Sequence, residues 1–111
     1  LVGAKPSEVV FTSGASEANA WALAQPADTI FYAGIEHDSV LAAIRHGAAR
    51  RIEMPASRDG IVHIEEVARH WLTRTDLGKR AWVVLQMANN ETGAIQPVAE
   101  MAEFAREHGF M

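Results

Sequence analysis

Three short polar segments hold the residue types from which a ligand site can be built, and each follows an apolar run. The first is Thr12-Ser13-Gly14-Ala15-Ser16-Glu17. Small residues let a ligand approach the backbone. A helix starting here presents unpaired N–H groups and the positive end of its dipole, a combination that suits a phosphate. With one glycine and no lysine, the segment is neither a dinucleotide fingerprint nor a P-loop. A tight strand-to-helix turn capped by Ser16 accounts for the same residues.

The second segment is Gly34-Ile35-Glu36-His37-Asp38. A histidine in this setting can stack its ring on a planar ligand or move a proton near neutral pH. A histidine at a helix start, beside a capping Asp38, is the plainer alternative. Adjacent acids and a histidine lack the i, i+4 spacing of a helical metal site, so no metal is expected. The third segment is Ala88-Asn89-Asn90-Glu91-Thr92-Gly93. Two amides after so apolar a run demand partners. The loop's own backbone could supply them through Asx turns, and so could a polar ligand with oxygen acceptors.

The other histidines have simpler readings. His46 and His108 fall near helix ends, where they favour the dipole, and His63 and His70 flank a helix as solvated groups. Trp21, Trp71 and Trp82 lie on expected elements and read as core or interface residues.

Elements able to position these segments alternate along the chain. Short apolar, β-branched runs at 9–12, 29–33, 51–54 and 81–88 read as strands. The last is nearly continuous and suggests a strand buried on both faces of a parallel sheet. Helix formers fill 16–25 and stop before Pro26. Val40, Leu41, Ile44 and Ala48 share a face of a helix over about 38–46, with Gly47 as its stop. Ile64, Val67, Ala68, Trp71 and Leu72 give the clearest amphipathic helix. Residues 73–79 read as loop, and Pro97 opens a final helix with Val98, Met101, Ala102 and Ala105 on one side. Strands separated by helices of this length imply an α/β fold on a mostly parallel sheet. Ligands in such sheets bind beyond the carboxyl ends of the strands, where all three polar segments fall.

Composition narrows the function classes. The chain has 111 residues, 49% apolar and 22% charged, enough for one domain or part of one. Its formal charge of -4 and lack of a basic stripe disfavour nucleic acid. No apolar run approaches the ~20 residues of a membrane-spanning helix. There is no cysteine, which excludes disulfides and any thiol chemistry by these residues. The chain begins at Leu1 and stops at Met111, after a helix-ending His108-Gly109-Phe110. Both ends read as cut from a longer chain, which would leave the edge of the 81–88 strand open to association.

Taken in order, the segments resemble one family. The stretch from Val10 to Asn19, Val10-Phe11-Thr12-Ser13-Gly14-Ala15-Ser16-Glu17-Ala18-Asn19, is similar to the phosphate-binding stretch of class V aminotransferase-type pyridoxal-phosphate enzymes, and most of all of the cysteine desulfurases. Glu36-His37 with Ser39-Val40-Leu41 resembles the segment of the family's active-site histidine, and Asn89-Asn90-Glu91-Thr92-Gly93 with Gln96-Pro97 resembles a specific signature. The likeness spans the whole chain, which would be the N-terminal part of a pyridoxal-phosphate-binding large domain.

That resemblance implies pyridoxal 5'-phosphate as cofactor. Backbone N–H groups of Ala15 and Ser16, helped by the Ser16 hydroxyl, would hold its phosphate. His37 would stack on its ring and shuttle protons, and Asn90 would hydrogen-bond its phenolic oxygen. It further implies a homodimeric, cytoplasmic enzyme that converts L-cysteine to L-alanine and passes sulfur to an enzyme cysteine. A sulfur-acceptor protein, as in iron-sulfur cluster assembly, would then take it on. Another class V activity (a selenocysteine lyase or an aminotransferase) and a non-catalytic phosphate-ligand module stay open. Ser16 stands where Thr is commoner, Asp38 where a basic or neutral residue is usual, and His63 where an acid is. The family's Schiff-base lysine and nucleophilic cysteine would lie beyond Met111, since Lys5 and Lys79 fall outside that context.

Overall fold

A computed structural model describes residues 5–73 and 77–111, with the backbone alone for His70. Residues 74–76 of the expected 73–79 loop lie outside the described residues. The β-branched and aromatic run Thr29-Ile30-Phe31-Tyr32-Ala33 forms the central strand β1 (Thr29–Ala33), buried at every position but Tyr32. It pairs in parallel with β2 (Arg50–Met54) on one side and β3 (Ala81–Val84) on the other. Thr29 lies opposite Arg50 and Ala81, and Tyr32 opposite Glu53 and Val84.

Alternation along these strands divides the core in two. Ile30 packs with Val40 and Ile44 of α2 (Asp38–His46), flanked by Trp82, Val84 and Leu23 of α1 (Ala15–Leu23). Phe31, Ala33, Met54 and Ala81 face the other way. There they meet Val67 and Trp71 of α3 (Ile64–Leu72) and Met101 of α4 (Val98–Glu107). The rings of Phe31 and Trp71 stack with centroids 3.9 Å apart, and Phe104 sets its edge on Trp71 at 5.7 Å. Burial of side chains this size contributes about 1.5–3 kcal/mol each. The result is the expected α/β architecture with helices on both faces of a parallel sheet. The connection after β1 leads to one neighbour and the other neighbour is reached later, so a crevice opens between the carboxyl ends of β1 and β3.

Several local expectations are corrected. Residues 9–12 are not a strand; Val9, Val10 and Phe11 are 47%, 59% and 96% exposed. A strand's N–H and C=O groups need a ladder partner, and among the described residues no strand runs beside this segment. The run at 81–88 leaves the sheet after Val84, and only Ala81 within the strand is buried. Helix α1 ends at Leu23, just short of the expected bound, and buries no residue. Trp21 is 53% exposed. The outer edge of β3 is partly covered. Met111 N–H donates to Ala81 O at 3.0 Å, and Val83 N–H donates to Met111 O at 2.7 Å, as in a parallel neighbour.

The end of the sheet opposite the crevice is tied by Asp28. Its Oδ2 accepts the backbone N–H groups of Lys79 and Arg80 at 2.9 and 3.0 Å, and its Oδ1 accepts from the Arg80 guanidinium at 3.1 Å. Gly78 lies against it with φ +74, and a Cβ there would stand 2.4 Å from the Asp28 Cβ. Gly78→Ala therefore meets both a left-handed backbone and a clash, and should lower unfolding stability by about 1–3 kcal/mol in a denaturant titration.

The Arg80 side chain, then the Arg80 and Lys79 amides, hold the Asp28 carboxyl below the usual aspartate value. A carboxyl ionised more readily in the fold than in the unfolded chain adds stability above the unfolded value and loses it as pH falls through the folded one. Melting temperature should thus fall as pH drops below about 4. Asp28→Asn should lower stability at neutral pH and flatten that acid decline.

Candidate functional site

Beyond Tyr32 and Val84 the β1–β3 ladder stops, and side chains take over the pairing. Glu36, in the turn after β1, is only 5% exposed, and its Oε1 accepts the Gln86 N–H at 2.8 Å. The Gln86 side-chain amide donates to Ile35 O at 2.8 Å, and Asn89 Nδ2 donates to the same carbonyl at 2.8 Å. Burial pushes the Glu36 carboxyl up from the usual glutamate value, against the lowering effect of the Gln86 bond. Past Val84 these side-chain contacts replace the ladder, and β3 is shorter than its apolar sequence.

The two amides after β3 have different fates. Asn89 is buried, and its Oδ1 accepts the N–H groups of Glu91 and Thr92, both at 2.9 Å. With Asn89 N–H on Ala94 O and Gly93 at φ +73, it builds a tight hairpin. Asn89 is thus consumed by the backbone, through an Asx turn. Asn90 is exposed, carries no hydrogen bond among the described residues and borders a cavity of about 300 Å³. Across that cavity stand His37, Asp38 and Leu41.

His37, not Asp38, caps α2. Its Nδ1 accepts the Ser39 N–H at 3.1 Å. An amide N–H can only donate, so Nδ1 is unprotonated in this geometry and the ring's proton sits on Nε2. The Ser39 hydroxyl lies 2.9 Å from the same nitrogen and accepts from Asn19 Nδ2 at 3.1 Å. Asn19 belongs to α1, so this relay links the first polar segment to His37. Neither Asn19 nor Ser39 had been assigned a role by the sequence alone. The signal was there in their spacing from the two motifs, but a bond between helices twenty residues apart is invisible to local pattern.

Ala15 and Ser16 lie at the first and second positions of α1, and neither lines the cavity. The helix cap is Gly14, not Ser16, and it makes no side-chain cap bond. Among the described residues the amides of Ala15 and Ser16 meet no hydrogen-bond acceptor. A carboxylate already sits at this helix start: Glu17 Oε2 accepts the Ser13 N–H at 2.6 Å and the Ser13 hydroxyl at 2.7 Å. The Ser13 amide bond, then the hydroxyl, hold the Glu17 carboxyl below its usual value. The free amides suit an anion, while the cavity, with Glu36, Asp38 and Glu91 in its walls, does not. The structure thus brings His37 and Asn90 to one cavity and leaves Ala15 and Ser16 outside its walls.

Lys79 lies at the opposite end of the sheet, beside Asp28, and Lys5 precedes the short turn Pro6–Glu8; neither borders the cavity. Among the described residues no group of three histidines or acids could hold a metal ion. Ser39→Ala should leave the fold intact, at a cost of about 0.5–1.5 kcal/mol for the lost bond. The backbone N–H of residue 39 still donates to Nδ1, so the ring ¹⁵N shifts should show Nε2–H in both the unaltered chain and the variant, while the Asn19 side-chain amide, which loses its acceptor, should shift.

Comparison with known proteins covers the whole chain. The family model described as aminotransferase class-V matches residues 1–111. Cysteine desulfurase IscS of Dechloromonas aromatica (strain RCB) is 33% identical over 124 aligned residues, covering all of this chain and 29% of that protein. The mitosomal cysteine desulfurase of Trachipleistophora hominis is 30% identical over 123, again covering all of this chain and 27% of the relative. Among solved structures, DndA from Streptomyces lividans superposes with a TM-score of 0.78 at 32% identity, over 98% of this chain and 32% of that one. A NifS-like protein gives 0.77 at 29% identity, over 96% and 30%. The chain spans less than a third of the length of the curated relatives it matches. With the match running from its first residue to its last, the chain belongs to the class-V aminotransferase family.

Proposed function

We propose that this chain forms the cofactor-cradling part of a pyridoxal 5'-phosphate-dependent cysteine desulfurase. The observation that carries this reading is the division of labour at the crevice. Asn89 is spent on backbone groups of the two loops, which leaves Asn90 and a His37 held through Nδ1 alone on the cavity. The names of the relatives point to the same chemistry. When bound, the cofactor supplies an electron sink for charge developing on an amino-acid substrate.

Each residue of the chain then has a task. The N–H groups of Ala15 and Ser16, with the Ser16 hydroxyl, hold the phosphate at the α1 N-terminus. His37 would hold the ring by its imidazole face, and its Nε2 would hold or release a proton beside the substrate. The Asn90 side chain donates to the ring oxygen and stabilises charge there. Ser39 and Asn19 keep the imidazole in place. The substrate in this reading is L-cysteine, the product is L-alanine, and the sulfur passes to a cysteine thiol of the enzyme and on to an acceptor protein. The chain contains no cysteine, so that thiol is not among its residues. The working enzyme in this reading is a cytoplasmic homodimer.

Equilibrium titration with pyridoxal 5'-phosphate, followed by tryptophan fluorescence, tests the reading. Saturable binding displaced by inorganic phosphate is expected. His37→Ala and Asn90→Ala should each weaken it about tenfold, the worth of one good ligand contact. Binding that is unsaturable, or indifferent to both substitutions, would contradict the assignment.

A further inference from the structure

We propose that Glu36 is the positioning residue of this site: its buried carboxyl group, by accepting the Gln86 N–H, sets the spacing between the loop that carries His37 and the loop that carries Asn90. The functional consequence rests on the reading of the cavity given above, but the bond itself does not.

Register makes the case. The β1–β3 ladder ends at Tyr32 and Val84. Two residues further on, the Gln86 N–H has no strand carbonyl to meet, yet its side chain is half-buried. Glu36 Oε1 reaches it at 2.8 Å and serves as a strand carbonyl would. The other two bonds between these loops both end on the Ile35 carbonyl, the neighbouring backbone group. Glu36 is thus the one side chain of the β1 loop that grips the β3 loop among the described residues. His37 follows it directly in sequence, and Asn90 follows Gln86 by one turn of the hairpin.

A carboxyl is an unexpected choice for so buried a spot, because desolvation penalises its charge. Burial accordingly raises the Glu36 value. A protonated carboxyl still offers a carbonyl oxygen as acceptor. The needed property is therefore an acceptor at the end of a two-methylene arm, and the charge is dispensable. Glutamine supplies that acceptor, aspartate is one methylene too short, and leucine fills the space without an acceptor.

Amide hydrogen exchange by NMR on the full chain separates these requirements. Protection of the Gln86 N–H should stay within about twofold in Glu36→Gln and fall about tenfold or more in Glu36→Asp and Glu36→Leu. The His37 ring and Asn90 side-chain resonances should move in the same order. Amides of Phe31 and Ile52, in the β1–β2 pairing, report whether the fold is intact. Equal Gln86 protection in all four proteins would overturn the proposal. So would Glu36→Gln losing as much as Glu36→Leu, or His37 and Asn90 signals that stay still while Gln86 is exposed. If Glu36→Leu does not fold, the contrast between glutamine and aspartate decides. If the unaltered chain fails to bind pyridoxal 5'-phosphate, the reading of the cavity falls, while the exchange result still judges Glu36.

Discussion

The geometry of the crevice depends on one hydrogen-bond crossing, where the turn after β1 meets the loop after β3 at Ile35 and Glu36. Parallel strands converge on their carboxyl ends but do not by themselves hold the loops beyond. Here three bonds of 2.8 Å do so, two on the Ile35 carbonyl and one on the Glu36 carboxyl. Without them, His37 and Asn90 would sit on two independent loops. With them, both project from a braced pair, and the polar groups inside the brace are satisfied by one another.

A second brace joins the two helices on the other side of His37. Asn19 of α1, Ser39 of α2 and the ring of His37 form one line of hydrogen bonds. The Ser39 N–H fixes which imidazole nitrogen bears the proton, and the hydroxyl line ties α1 to the histidine that borders the cavity. The tie adds to the packing of Leu23 on the α2 side of the core, since helix α1 buries no residue. The energetics of the core are elsewhere, in the Phe31–Trp71 stack and its neighbours. Stability and site geometry are therefore carried by different residues.

Much of the fold was legible because burial writes periodicity into sequence. Residues 29–33 and 38–46 show it plainly: their apolar positions match the faces that Ile30, Phe31, Val40 and Ile44 bury. The stretch at 9–12 has equal strand propensity and forms none, since propensity cannot supply a ladder partner. The run at 81–88 misled in another way. Its residues suit a strand throughout, but the ladder ends at Val84 and a side-chain bond takes its place at Gln86, and nothing local in the sequence marks it. In the candidate site, two adjacent asparagines cannot be told apart by type. Only the hairpin shows that Asn89 is structural. Likewise Asp38 is the better cap by residue preference, yet His37 takes the position and gains a fixed tautomer from it.

The central claim is that α1's start, His37 and Asn90 serve one ligand. Chemical-shift mapping of the chain with pyridoxal 5'-phosphate tests it most directly. The account predicts that one saturating ligand moves the amides of Ala15 and Ser16, the His37 ring and the Asn90 side chain along a single binding curve. Shifts confined to one of these places, or following different curves, would contradict it.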